Sequence, residues 1–168
     1  MKNNPRSKLK KFESALFKGS KSMGKWMALN FQDPIILNKY VWLNIGIYLE
    51  RSNSRIKQTR ALEYYEFSHK LGCNYSCLRF AHLSYWLFER DKKNVSNVIA
   101  KKAYVLCKKA EKTLASEQKA EAINLLGCFH FTGFGCTKNL TKSIRYYKQA
   151  SKLGNNTAKL NLSNFNIL

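Results

Sequence analysis

One nine-residue pattern occurs three times at a spacing near forty, and few folds accommodate it. The copies are Arg60-Ala-Leu-Glu-Tyr-Tyr-Glu-Phe-Ser68, Lys102-Ala-Tyr-Val-Leu-Cys-Lys-Lys-Ala110 and Lys142-Ser-Ile-Arg-Tyr-Tyr-Lys-Gln-Ala150. Each has a base, a small residue, an apolar residue, then apolar residues at the fifth and sixth places and a small residue at the ninth. The small residues Ala61, Ala103 and Ser143 are 42 and 40 residues apart. A period of this length belongs to arrays of helical hairpins, in which each unit buries its apolar face against the next.

A second element precedes each copy. In Ala122-Ile-Asn-Leu-Leu-Gly127 a large residue at i+4 lies between small residues at i and i+5. Phe80-Ala81 after Ser76, Ile45-Gly46 after Val41 and Leu162-Ser163 after Ala158 repeat the spacing. On a helix these small positions share a face and let a neighbouring helix approach closely. The paired aromatics Tyr64-Tyr65 and Tyr146-Tyr147 are suited to fill that space. Gly72 and Gly154 follow the second helices as left-handed C-caps, and Gly133 and Gly135 lie where the chain reverses within the clearest unit.

From Ala122 to Asn155 the chain resembles one complete unit of the Sel1-like repeat family, relatives of the tetratricopeptide repeat. Ala122, Leu126, Gly127, Gly133, Gly135, Lys142, Ile144, Tyr146, Tyr147, Ala150, Gly154 and Asn155 occupy the family's positions in register. His130 stands where Tyr is usual, Asn139 replaces Asp, and Ser143 and Ser151 replace Ala. The earlier copies lack the Gly-x-Gly turn. The resemblance implies an all-α fold: an α-solenoid of antiparallel helical hairpins, about three and a half repeats, with an N-terminal helical extension. The expected units are residues 41–75, 76–121 and 122–157, closed by a C-terminal capping helix at 158–168. The middle unit includes an extension, Thr113 to Lys119.

Residues 1–40 form a separate basic extension. Leu9, Phe12, Leu16 and Phe17 follow helical spacing among Lys8, Lys10, Lys11 and Lys18. The preferred reading is a cap on the first repeat. The alternatives are a helix lying on a membrane surface and a segment that orders on a partner.

Charge narrows the partners. The chain of 168 residues has 30 Lys and Arg against 10 Asp and Glu, a formal charge of +20. Residues 122–168 contain six bases and no acid. Such an excess suggests an acidic protein face, nucleic acid or anionic lipid, while 45% apolar content excludes a disordered basic tail. Arg145, Lys148 and Lys152, at i, i+3 and i+7, form one basic stripe. With Lys138, Lys142 and Lys159 they make the last repeat the candidate partner-binding surface, and Lys8, Lys10, Lys11 and Lys18 provide a second.

Nothing suggests catalysis. His69, His82 and His130 are the only histidines and show no triad context, and Gly133-Phe-Gly135 lacks the Lys-Ser/Thr ending of a phosphate loop. His69, Cys73, Cys77 and His82 offer zinc-compatible residue types, but their spacing of 4, 4 and 5 places the two pairs across a helix cap. They are read as buried cysteines and partner-facing histidines, and no cofactor or metal is expected. Cys73, Cys77, Cys107, Cys128 and Cys136 are read as free thiols in a reducing compartment. That makes the cytoplasm the expected location, with the mitochondrion as alternative given the basic N-terminus. No apolar run is long enough to span a membrane.

The resemblance implies a non-enzymatic scaffold for protein–protein interaction. The expected function is an adaptor that docks by its basic faces on an acidic protein surface or larger assembly. RNA binding is the second reading, and membrane-surface attachment through the N-terminal helix is the third.

Overall fold

The computed structural model describes residues 38–92 and 95–165. The N-terminal amphipathic segment, with Lys8, Lys10, Lys11 and Lys18, lies outside them. Within the described residues the chain is entirely helical: α1 (Lys39–Glu50), α2 (Arg55–Lys70), α3 (Asn74–Arg90), α4 (Asn97–Thr113), α5 (Ser116–Thr132), α6 (Leu140–Lys152) and α7 (Asn156–Ser163). Helices pair as hairpins, α1 with α2, α3 with α4 and α5 with α6. Each hairpin packs on the next through α2–α3, α4–α5 and α6–α7, and α3 also touches α5. The architecture is an all-α solenoid of antiparallel hairpins.

Local chemistry sets the helix ends. Asn38, Ser96, Asn139 and Asn155 are N-caps whose side chains accept hydrogen bonds from first-turn amides. Two second helices end in the same motif. The Gly72 and Cys73 amides donate to the carbonyls of His69 and Ser68, and those of Gly154 and Asn155 to Ser151 and Ala150. These are Schellman pairs, and the glycines between them sit at φ +90° and +88°.

Inside the hairpins, packing follows the small-against-aromatic pattern. A Cβ on Gly46 would lie 2.5 Å from Cε1 of Tyr65, and one on Gly127 would lie 2.6 Å from Cδ1 of Tyr147. Tyr65 and Tyr147 are buried against these bare backbones. The middle hairpin carries Ala81 and Cys107 at the corresponding positions, a larger residue on the first helix and a smaller one on the second. Ser143, which stands where Ala is usual, donates its hydroxyl to the Gly127 carbonyl at 2.9 Å, so its burial leaves no unmet polar group.

The turn between α5 and α6 does more than reverse the chain. Gly135, at φ +69°, sits so close to α4 that a Cβ would fall 2.1 Å from the Ala100 carbonyl oxygen. This approach drives Phe134 into a ring cluster with Phe88, Phe129 and Tyr85, at centroid distances of 4.8, 5.0 and 5.5 Å. The turn thereby ties the third hairpin to the second.

The expected extension between the second and third units is mostly helix. Only Leu114 and Ala115 separate α4 from α5, which begins at Ser116, well before Ala122. Ser116 takes a left-handed φ of 52° to make this tight joint.

The Gly127–Tyr147 contact gives a quantitative expectation. Gly127→Ala should destabilise the protein by about 1–3 kcal/mol through overpacking, and Tyr147→Cys by roughly 2–5 kcal/mol through the cavity left behind. Their combination recreates the Ala81–Cys107 pairing, so its loss should fall short of the sum by at least about 1 kcal/mol in urea unfolding. Strict additivity would contradict the packing assignment.

Candidate interaction surface

Between successive hairpins the second helices meet along polar seams. At the first seam Lys102 of α4 donates to Glu66 of α2 at 2.8 Å, and Lys70 also bonds Glu66 at 3.2 Å. Burial alone would raise the Glu66 carboxyl, but the two ammonium groups outweigh it and hold its pKa below the usual value. At the second seam Lys108 of α4 donates to the Tyr146 hydroxyl at 3.3 Å and pairs with Glu111 of its own helix. His130 stacks on Tyr146 with ring centroids 5.5 Å apart and meets Tyr104 edge-on at 5.7 Å. The imidazole thus takes the place of the usual Tyr as a flat ring between two others.

Among the described residues the same positions on α6 face no hairpin. Ile144 corresponds to Leu62 and Tyr104, and Lys148 corresponds to Glu66 and Lys108. Lys148 is exposed, whereas Glu66 and Lys108 are half-buried in their seams. Thr141, Ile144, Arg145, Lys148, Gln149 and Lys152 line a shallow groove of about 420 Å³. Among the described residues none of its three bases forms an ion pair.

The structure therefore gathers Arg145, Lys148 and Lys152 around one groove. Of the remaining expected residues, Lys138 is exposed in the α5–α6 turn, 5.9 Å from the Phe131 ring centroid. Lys142 is exposed in the first turn of α6, and Lys159 is exposed on α7. Sequence reasoning overlooked Ile144 and Gln149, the apolar and amide parts of the groove wall. The signal was the repeat register itself, because Ile144 occupies a seam position.

The histidine and cysteine sites are packing chemistry. Cys77 Sγ lies 3.1 Å from His69 Nδ1, and Lys109 Nζ lies 3.5 Å from His69 Nε2. An ammonium at Nε2 requires that nitrogen to accept, which leaves the ring proton on Nδ1, facing the sulfur. The imidazole is then a donor to Cys77 and not its base. Burial lifts the Cys77 thiol to about 11, so it stays protonated at neutral pH and is a poor nucleophile. His82 is exposed on α3, away from this pair, and among the described residues no three His, Cys, Asp or Glu side chains come together as a metal site. All five cysteines are free.

Residues 120–155 match the family model of the Sel1 repeat. The chain carries a Sel1 repeat. The match runs from Ala120 in α5 through α6 to Asn155, the N-cap of α7, so it contains the groove helix and the His130 and Tyr146 side of the seam beneath it. Sel1 repeats are protein–protein interaction modules, which supports a scaffold role for this chain. No curated protein matches the chain. No described helix is long and apolar enough to cross a membrane.

The two seam histidines also predict a pH response. Burial, first of all, keeps His69 and His130 below the ordinary imidazole pKa of 6.5, with neighbouring lysines adding to the effect. The unfolded chain therefore takes up protons first as pH falls through that value, and stability declines. Urea midpoints should drop between about pH 7.5 and 5.5, and the H69Q/H130Q variant should drop less. An equal drop in both proteins would remove the histidines from this role.

Proposed function

We propose that the protein is a non-enzymatic scaffold that binds an acidic protein surface through the α6 groove. The observation that carries this reading is the uncompensated trio Arg145, Lys148 and Lys152 around one groove, in a stretch from 122 to 168 that contains no acid. At the two internal seams, bases at the interface are met by Glu66 or Glu111. On α6 the position of Glu111 is taken by Ser151, so a neutralising carboxylate has to come from outside the repeat.

Attraction of this kind is long-ranged and screened by salt. It suits an acidic protein better than RNA, because the groove lining contains no aromatic ring, and Tyr146 and Tyr147 of the same helix are buried in packing and not free to stack on bases.

Fluorescence anisotropy with labelled poly-glutamate and a single-stranded RNA of similar charge separates the two. The protein should bind poly-glutamate more tightly at about 0.05 M than at about 0.5 M salt, and R145E/K148E/K152E should lose at least about tenfold in affinity. Undiminished binding by that variant would refute the groove's role. Clear preference for RNA, with the same dependence on these residues, would shift the reading to a nucleic-acid partner.

A further inference from the structure

The end of the stack has more structure than a basic patch. In the repeat register α7 is the first helix of a fourth hairpin: Ala158 and Leu162 are buried like Ala122 and Leu126 before them. Among the described residues no second helix covers it. Leu160 is 65% exposed, while Leu78, at the corresponding position of α3, is fully buried. On α6, which packs on α7, Ile144 stands at the seam position that Leu62 and Tyr104 occupy on α2 and α4. By that register the seat of a second helix is open among the described residues, with Leu160 on α7 and with Ile144 and the basic groove on α6.

Two features state what would fill it. Ser163 takes the place of Gly46, Ala81 and Gly127. Where that place is Gly the facing helix carries Tyr, and where it is Ala the second helix carries Cys107. An occupant therefore needs a small residue there, like α4 and unlike α2 or α6. The second feature is charge. Glu66 receives Lys102 of the following hairpin at 2.8 Å; at the second seam Lys108 holds that place and is met by Glu111, whereas on α6 Lys148 holds it and Ser151 has replaced the Glu. A second copy of this chain would bring Arg60, Lys102 or Lys142 to the seam with no carboxylate of α6 to offset the like charge. An acidic helix would not.

We propose that α6 and α7 seat an acidic amphipathic helix of a partner protein, which completes the fourth hairpin and places carboxylates against Arg145, Lys148 and Lys152. The inference rests on the groove reading above and adds to it a helical, apolar requirement.

The probe is a helix-locked peptide with the α4 sequence Asn97–Thr113, carrying Lys101→Glu, Lys102→Glu, Lys108→Glu, Lys109→Glu, Lys112→Glu and Cys107→Ala. It is titrated into the full chain by anisotropy, beside the same peptide broken by a central proline and the lysine-bearing original. The helical acidic peptide should bind at least about tenfold more tightly than either control. L160N, first checked for an unchanged urea midpoint, should lose at least about tenfold for this peptide while keeping its affinity for poly-glutamate. Equal binding of the helical and proline-broken peptides, or no effect of L160N, overturns the helical seat and leaves the electrostatic groove standing. Failure to bind either the peptide or poly-glutamate removes both readings. Tighter binding of the lysine-bearing peptide would make a second copy of the chain the occupant and overturn the proposal.

Discussion

The close approach of a tyrosine ring to a bare glycine backbone, at Gly46–Tyr65 and again at Gly127–Tyr147, is the contact on which the rest of the hairpin geometry depends. It sets how near the two helices of a unit come, and so where the second helix presents its seam. Each seam then receives the next hairpin through residues three and four apart on that helix. A change of one methyl group at the glycine displaces a buried ring, which moves the seam as well as the core. The middle unit keeps the helices in step with a different pair of sizes, Ala81 and Cys107.

Polar chemistry does a different job from packing. The cores within hairpins are apolar and small-against-large, while the seams use half-buried charges and rings: Glu66 with Lys102, Lys108 with Tyr146, His130 between Tyr104 and Tyr146. Arg79 and Glu50, 2.7 Å apart, play the same part between α3 and α1, and Glu50 also receives the Tyr65 hydroxyl. Removing one member of such a pair strands the other in a half-dry position, so seams specify which neighbour fits as well as holding it. At α6 the same kind of surface has no counterpart among the described residues, which is why we propose it as the place for another molecule.

Most of the fold was legible because the repeat is a packing rule written in residue sizes. Small-large-small spacing and paired tyrosines identify the hairpins, and Gly72 and Gly154 mark their ends. The joint at Ser116 was not legible, since a single left-handed residue let α5 absorb most of the extension from Thr113 to Lys119. The His69–Cys77 contact was missed for a related reason: the turn after Gly72 folds α3 back onto α2 and does not separate their side chains. Of the candidate site, the basic stripe follows from helical spacing alone. Its apolar floor does not, because Ile144 reads as core until the absence of a covering helix among the described residues makes it a groove wall.

Each hairpin is held by its neighbours, and among the described residues the α6–α7 end lies open. Hydrogen–deuterium exchange of the full chain tests this directly, because protection reports local opening free energy helix by helix. The account predicts slowest exchange in α3, α4 and α5, which are covered on both sides, intermediate exchange in α6 and fastest in α7. Protection of α7 equal to that of α5, or uniform exchange along the seven described helices, would contradict it.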